Sequence, residues 1–233
     1  MTAAEAILRT GGVEPGSRVL TVGVAAGDVR ALRRAGYRVD EHRLDRNPAA
    51  ALRGEPFTPP VKAWPVQTSV YDAALIDDDL ALTVDDEAAI AEAARALRPG
   101  GIVLLRVPNA GVLAWLDPFN VYRYVRDITR RGPKLPETRG VGWRRRYGAR
   151  DLRELLAPAF EPPRFWTEGI GLTDATRLTL LLGFAWLLGR RASELEARVA
   201  AIATRLESTL RPGSWGSRRI ALARRLPDRD KRT

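Results

Sequence analysis

The segment 85–107 constrains this chain most. Helical spacing from Asp85 to Leu97 runs into Pro99-Gly100-Gly101, and the apolar run Ile102–Val107 follows at once. A helix closed by Pro and Gly and then a strand apolar on both faces predicts a strand inside a parallel sheet. Two similar runs precede it. Arg18–Gly23 is closed by the Gly/Ala-rich turn Gly23-Val24-Ala25-Ala26-Gly27, and Tyr71–Ile76 by Asp77-Asp78-Asp79. Between them, Asp28–Ala35 has helical spacing with Gly36 as its stop, and Tyr37–Leu44 alternates as a further strand. Strands alternating with helices predict a parallel sheet with right-handed crossovers.

Residues 3–9 read as a short opening helix, and 46–69 as a Pro/Ala-rich stretch with at most one short helix at 48–53. After Pro108 the pattern changes. Residues 112–131 read as a basic helix, 132–142 as a loop, Ala149–Leu156 as an amphipathic helix and Phe165–Ile170 as a strand. Leu178–Leu188 is an apolar block flanked by Arg177, Arg190 and Arg191. Leu195, Val199, Ile202, Leu206 and Leu210 then step by three or four along one helix face. Gly216–Ala223 reads as a closing strand. The expected organisation is one domain over residues 1–225, with a helical insertion at about 174–212 and a disordered tail at 226–233.

Composition narrows the chemistry. The chain has no cysteine, which removes disulfides, thiolate catalysis and cysteine metal sites, and one histidine, His42. A zinc site would rest on carboxylates alone, so no metal is expected. The start MTAAEAILRT lacks the basic flank and apolar core of a secretory signal, and no segment reaches the roughly 18 apolar residues that cross a bilayer. The expected compartment is the cytoplasm. The net charge of +10 is concentrated: residues 118–153 carry eleven Lys/Arg against three acids, and residues 211–233 eight against two. Such clusters suit anionic membranes, nucleic acid or phosphorylated ligands, and equally arise as solvated loop arginines.

Four segments in order resemble the S-adenosylmethionine-dependent class I methyltransferases of the small-molecule and lipid-modifying kind. They are Arg18–Gly27, Val70–Asp77, Ala96–Asn109 and Arg146–Leu156. The turn Leu97-Arg98-Pro99-Gly100-Gly101, with its strand ending Val107-Pro108-Asn109, is the most specific. The resemblance implies a Rossmann-like α/β fold with a seven-stranded, mostly parallel sheet and an antiparallel last strand. It also implies S-adenosylmethionine lying across the C-terminal ends of the first strands.

The family's G-x-G-x-G turn is Gly23-Val24-Ala25-Ala26-Gly27 here, and the acid usual before it is Thr21. The ribose-binding carboxylate at the end of the second strand aligns with Arg43, leaving Asp45 as the better substitute and Glu41 as the other. Trp64-Pro65 matches a family Leu-Pro pair without its preceding acid, and Trp64 is a candidate for stacking on the purine. Asp77 is the candidate catalytic carboxylate and a cofactor contact, and Asn109 and Tyr147 are candidate substrate contacts.

The reading is methyl transfer to a small or lipid-like acceptor. Peripheral contact with an anionic membrane and a homodimer are secondary expectations; nucleic acid is disfavoured, because few aromatics interleave the arginines. Two alternatives stay open: a non-catalytic binding or regulatory module that kept the sheet and lost the cofactor, and a nucleic-acid-binding or RNA-modifying protein.

Overall fold

The computed structural model describes residues 3–42, 63–83, 85–111, 118–130, 145–169 and 216–227, with a few scattered positions between 175 and 202. Its elements are α1 (Ala3–Thr10), β1 (Arg18–Val22), α2 (Ala26–Arg34), β2 (Arg38–His42), β3 (Tyr71–Ile76), a 3-10 turn (Asp78–Leu82), α3 (Asp86–Ala96), β4 (Leu97–Pro108), α4 (Pro118–Thr129), α5 (Ala149–Leu156), β5 (Arg164–Glu168) and β6 (Arg218–Arg224). The expected insertion, its apolar block 178–188 and the tail fall almost wholly outside the described residues.

The sheet has the order β2-β1-β3-β4-β6-β5. β1 pairs in parallel with β2 and β3, and β3 with β4, while β6 runs antiparallel to both β4 and β5. The expected antiparallel last strand is present. Six strands rather than seven are described, and most of the β2–β3 connection, residues 43–62, lies outside the description. β1 feeds a neighbour on each side, so the chain reverses direction between β1 and β3. Open α/β sheets form their ligand crevice at such a switch point, above the C-terminal strand ends.

Both sheet faces are covered, which is why the strands read as continuous apolar runs. Val19, Leu75 and Leu104 join Leu8, Val29 and Leu32 of α1 and α2 in one core. Leu20, Ile76 and Leu105 join Ile90 and Ala93 of α3 and Leu152 and Leu156 of α5 in the other. Each fully buried Leu or Ile contributes roughly 1.5–3 kcal/mol through removal from water.

Of the two acids at the start of α3, Asp85 is the cap, accepting from Ala88 N at 2.8 Å. α2 begins two residues earlier than its apolar spacing indicates, because Ala25 takes an extended conformation and its carbonyl accepts from the amides of Asp28 and Val29. The acidic run after β3 winds into the 3-10 turn, which the apolar pattern did not announce. Among the described residues no helix is long and apolar enough to cross a membrane.

Candidate functional site

At the switch point β1 ends on Val22, and Gly23 turns the chain with φ +68°. Its amide donates to the His42 carbonyl at 3.2 Å, fastening the turn to the end of β2, and Asp77 N donates to Val22 O at 3.0 Å. The left-handed conformation favours glycine. Space demands it too: a Cβ on Gly23 would lie 2.4 Å from Asp79 Cγ, so the buried Asp79 carboxylate packs directly against the turn.

Beyond Val24, which is buried in the core, the turn is open. Ala25, Ala26 and Gly27 are exposed, and a Cβ on Gly27 would meet nothing within 4 Å. The amides of Asp28 and Val29 donate to Ala25 O, and those of Ala26 and Gly27 are the first N–H groups of α2, which a helix leaves without an intrahelical acceptor.

The side chain that organises the site is Arg106 on β4. Its Nε donates to Asp77 Oδ1 at 3.0 Å, and its Nη2 donates to Asp77 Oδ2 and, at 2.9 Å, to Asp28 Oδ2 in the first turn of α2. The Arg106 and Asp77 side chains are only 10% and 7% exposed, against 29% for Asp28. Burial opposes the guanidinium charge, but the Asp77 and Asp28 carboxylates outweigh it and raise the arginine pKa. Among the described residues Arg106 thus bridges the Asp77 and Asp28 carboxylates, with the Asp79 carboxylate packed nearby against the turn. Sequence reasoning passed over Arg106, although a lone arginine inside the apolar run of β4 signals a buried partner.

The structure brings Gly23, Ala25, Gly27 and Asp77 to one place, whereas Trp64, Asn109 and Tyr147 lie off the turn. Both Asp77 oxygens are engaged by Arg106. Thr21 is buried, its hydroxyl donating to Asp40 O at 3.1 Å. Trp64 is 5% exposed, with its ring 5.0 Å from that of His42, its amide donating to Glu92 at 2.7 Å and its carbonyl accepting from Arg95. It therefore has little free face for stacking. Asp45 and Arg43 lie outside the described residues.

Asn109 is buried just past β4, its Nδ2 donating to Gly216 O at 2.6 Å and its Oδ1 accepting from Arg219 at 2.9 Å. Tyr147 is buried with its hydroxyl 2.9 Å from Asp86 Oδ2 and 3.2 Å from Leu80 O. Burial, followed by Asp86, raises its pKa. Asn109 and Tyr147 sit together, since their backbones form a bridge, and Tyr147 borders a cleft of about 440 Å³ between α3 and α5.

No protein-family model matches the chain, and no curated protein matches it in sequence. Solved structures match its fold. A protein of Galdieria sulphuraria described as a candidate sarcosine dimethylglycine methyltransferase is 16% identical, with a TM-score of 0.53 over 96% of this chain and 84% of its own. The YcgJ protein of Bacillus subtilis is 15% identical, with a TM-score of 0.52 over 97% of this chain and 98% of its own. The [4+2]-cyclase SpnF is 20% identical, with a TM-score of 0.51 over 95% of this chain and 79% of its own. The chain has the Rossmann-like class I methyltransferase fold. A cyclase among its likenesses means that the fold alone leaves the reaction open.

Proposed function

We propose that the chain binds S-adenosylmethionine above the C-terminal ends of β1, β2 and β3 and transfers its methyl group to a small or lipid-like acceptor. The observation that carries this reading is the start of α2, where exposed Ala25 to Gly27 leave open space beside a carboxylate pair that, among the described residues, Arg106 alone bridges. These features suit the ligand's chemistry. Its amino-acid carboxylate matches the N–H groups of a helix N-terminus, and its ammonium matches the Asp28 carboxylate.

The cofactor supplies an electrophilic methyl group on a sulfonium. The protein supplies placement. Gly27 and Ala25 admit the ligand close to the backbone, and Asp45 serves the ribose on this reading. Asp77, committed to Arg106, holds the crevice floor rather than removing a proton, so the acceptor presents a nucleophile that is already reactive. Positioning then carries the rate. Asn109 and Tyr147 shape the acceptor side from within the wall.

One observation favours a second reading, a non-catalytic binding module. The Asp79 carboxylate occupies the space over Gly23 that a tightly approaching ligand would need. Calorimetric titration with S-adenosylmethionine and its demethylated product separates the two. Micromolar binding of both is the expected result. No heat of binding from folded protein would remove the methyl-transfer reading and leave the binding module.

A further inference from the structure

α4 has its apolar face on the outside. Val121, Tyr124, Val125 and Ile128 are 42%, 57%, 49% and 64% exposed, four of the six large apolar side chains exposed among the described residues. At 100° per residue they lie within an arc of about 100°, a continuous stripe. Tyr122 and Arg126, on the other side of the helix, are half-buried. A helix on a water-facing surface has the reverse arrangement. An apolar stripe concentrated on one helix marks a surface that something covers, whereas scattered apolar side chains need no explanation.

Charge selects the occupant. Residues 118–153, which include α4, carry eleven Lys/Arg against three acids, and the whole chain carries +10. A second copy would bring two such regions face to face, and like charges oppose that docking. A surface of anionic lipid headgroups attracts them, each nearby cation adding favourably, while the acyl boundary takes the apolar stripe. Exposed Arg130, at the C-terminal end of α4, belongs to the same basic stretch.

We infer that α4 is an interfacial helix that seats the protein on an anionic membrane surface through Val121, Tyr124, Val125 and Ile128. This is independent of whether the crevice binds S-adenosylmethionine.

The test is flotation of the full-length protein with vesicles of phosphatidylcholine alone or mixed with phosphatidylglycerol. The protein floats with the mixed vesicles and not with the neutral ones, and raising salt reduces the bound fraction. The double variant Val125→Asp/Ile128→Asp lowers that fraction at least about tenfold. The milder Val125→Ser/Ile128→Ser lowers it less, and in both variants the thermal midpoint stays at the wild-type value.

Absence of flotation with either vesicle overturns the inference. So does flotation that the aspartates leave unchanged. A concentration-dependent dimer that the variants dissolve would make the covering partner a second copy. A fall in thermal midpoint together with absent flotation would mean that the chain covers its own stripe.

Discussion

The two ends of the parallel strands each hold an arginine between polar partners, under opposite conditions. At the starting ends, Arg18 pairs with Asp40 at 2.9 Å, Asp40 also accepts from the Tyr71 hydroxyl at 2.9 Å, and the guanidinium lies 5.0 Å over the Tyr71 ring. The Arg18 and Asp40 side chains are 41% and 44% exposed, so water can replace either partner. At the finishing ends, Arg106 holds Asp77 and Asp28 with water nearly excluded from the first two. Two charges withdrawn from water gain little net stability over an apolar pair of the same volume. The starting end uses an ion pair as surface finish, whereas the finishing end keeps charge where the fold forms its ligand crevice.

The largest expected effect breaks that comparison directly. Arg106→Ala leaves Asp77 buried without its cation and should cost about 3–5 kcal/mol, while Arg18→Ala should cost less than about 1 kcal/mol. Urea unfolding of the two variants measures both. Equal losses would mean that the two ends do not differ in the way described.

The crevice turn offers a second contrast, between its two glycines. Gly23→Ala drives a Cβ into Asp79 and strains a left-handed residue, so a loss of about 2–3 kcal/mol is expected. Gly27→Ala meets nothing, and in the first turn of α2 it should stabilise by roughly 0.5 kcal/mol. If S-adenosylmethionine rests against Gly27, a larger Gly27→Leu should weaken binding by at least about tenfold, or about 1.4 kcal/mol, with folding intact. Thermal midpoints and calorimetric titration read these effects separately.

The partly buried pair that holds the Trp64 backbone gives an intermediate case. The Arg95 guanidinium, against some opposition from burial and with help from the Trp64 amide, holds Glu92 below the usual glutamate range. A carboxylate with a depressed folded pKa stabilises above its unfolded value, and that stability is lost as pH falls through the folded one. Stability should therefore decline below about pH 4.5. Glu92→Gln should remove this group's share of the decline and cost about 1–2 kcal/mol at neutral pH. Unchanged acid unfolding in the variant would assign the decline to other carboxylates.

Much of the fold was legible because it depends on local periodicity. β3 and α5 have the bounds that their apolar spacing predicts, and α3 begins where Asp85 offers its cap. The switch-point turn and the antiparallel last strand came from the ordered resemblance of four segments, none specific alone. The site was less legible. Arg106 meets Asp77 across 29 residues and Asp28 across 78, and no local pattern announces either pairing. Asp79 was read as one of three adjacent acids, and its place against Gly23 depends on a 3-10 turn that apolar spacing does not encode. α4 was read only as part of a basic helix at 112–131, and which side of it faces outward was not legible, because periodicity defines a stripe without saying what covers it.

The alternation of strands and helices, the turn glycines and the uneven charge are properties of short stretches of chain. These are written in spacing, side-chain volume and backbone freedom over a few residues. Only the tertiary structure decided that Arg106 neutralises Asp77, that room remains over Gly27 and not over Gly23, and that α4 turns its apolar stripe outward. Those outcomes depend on which distant side chains compete for the same few ångströms once the sheet has brought the strand ends together.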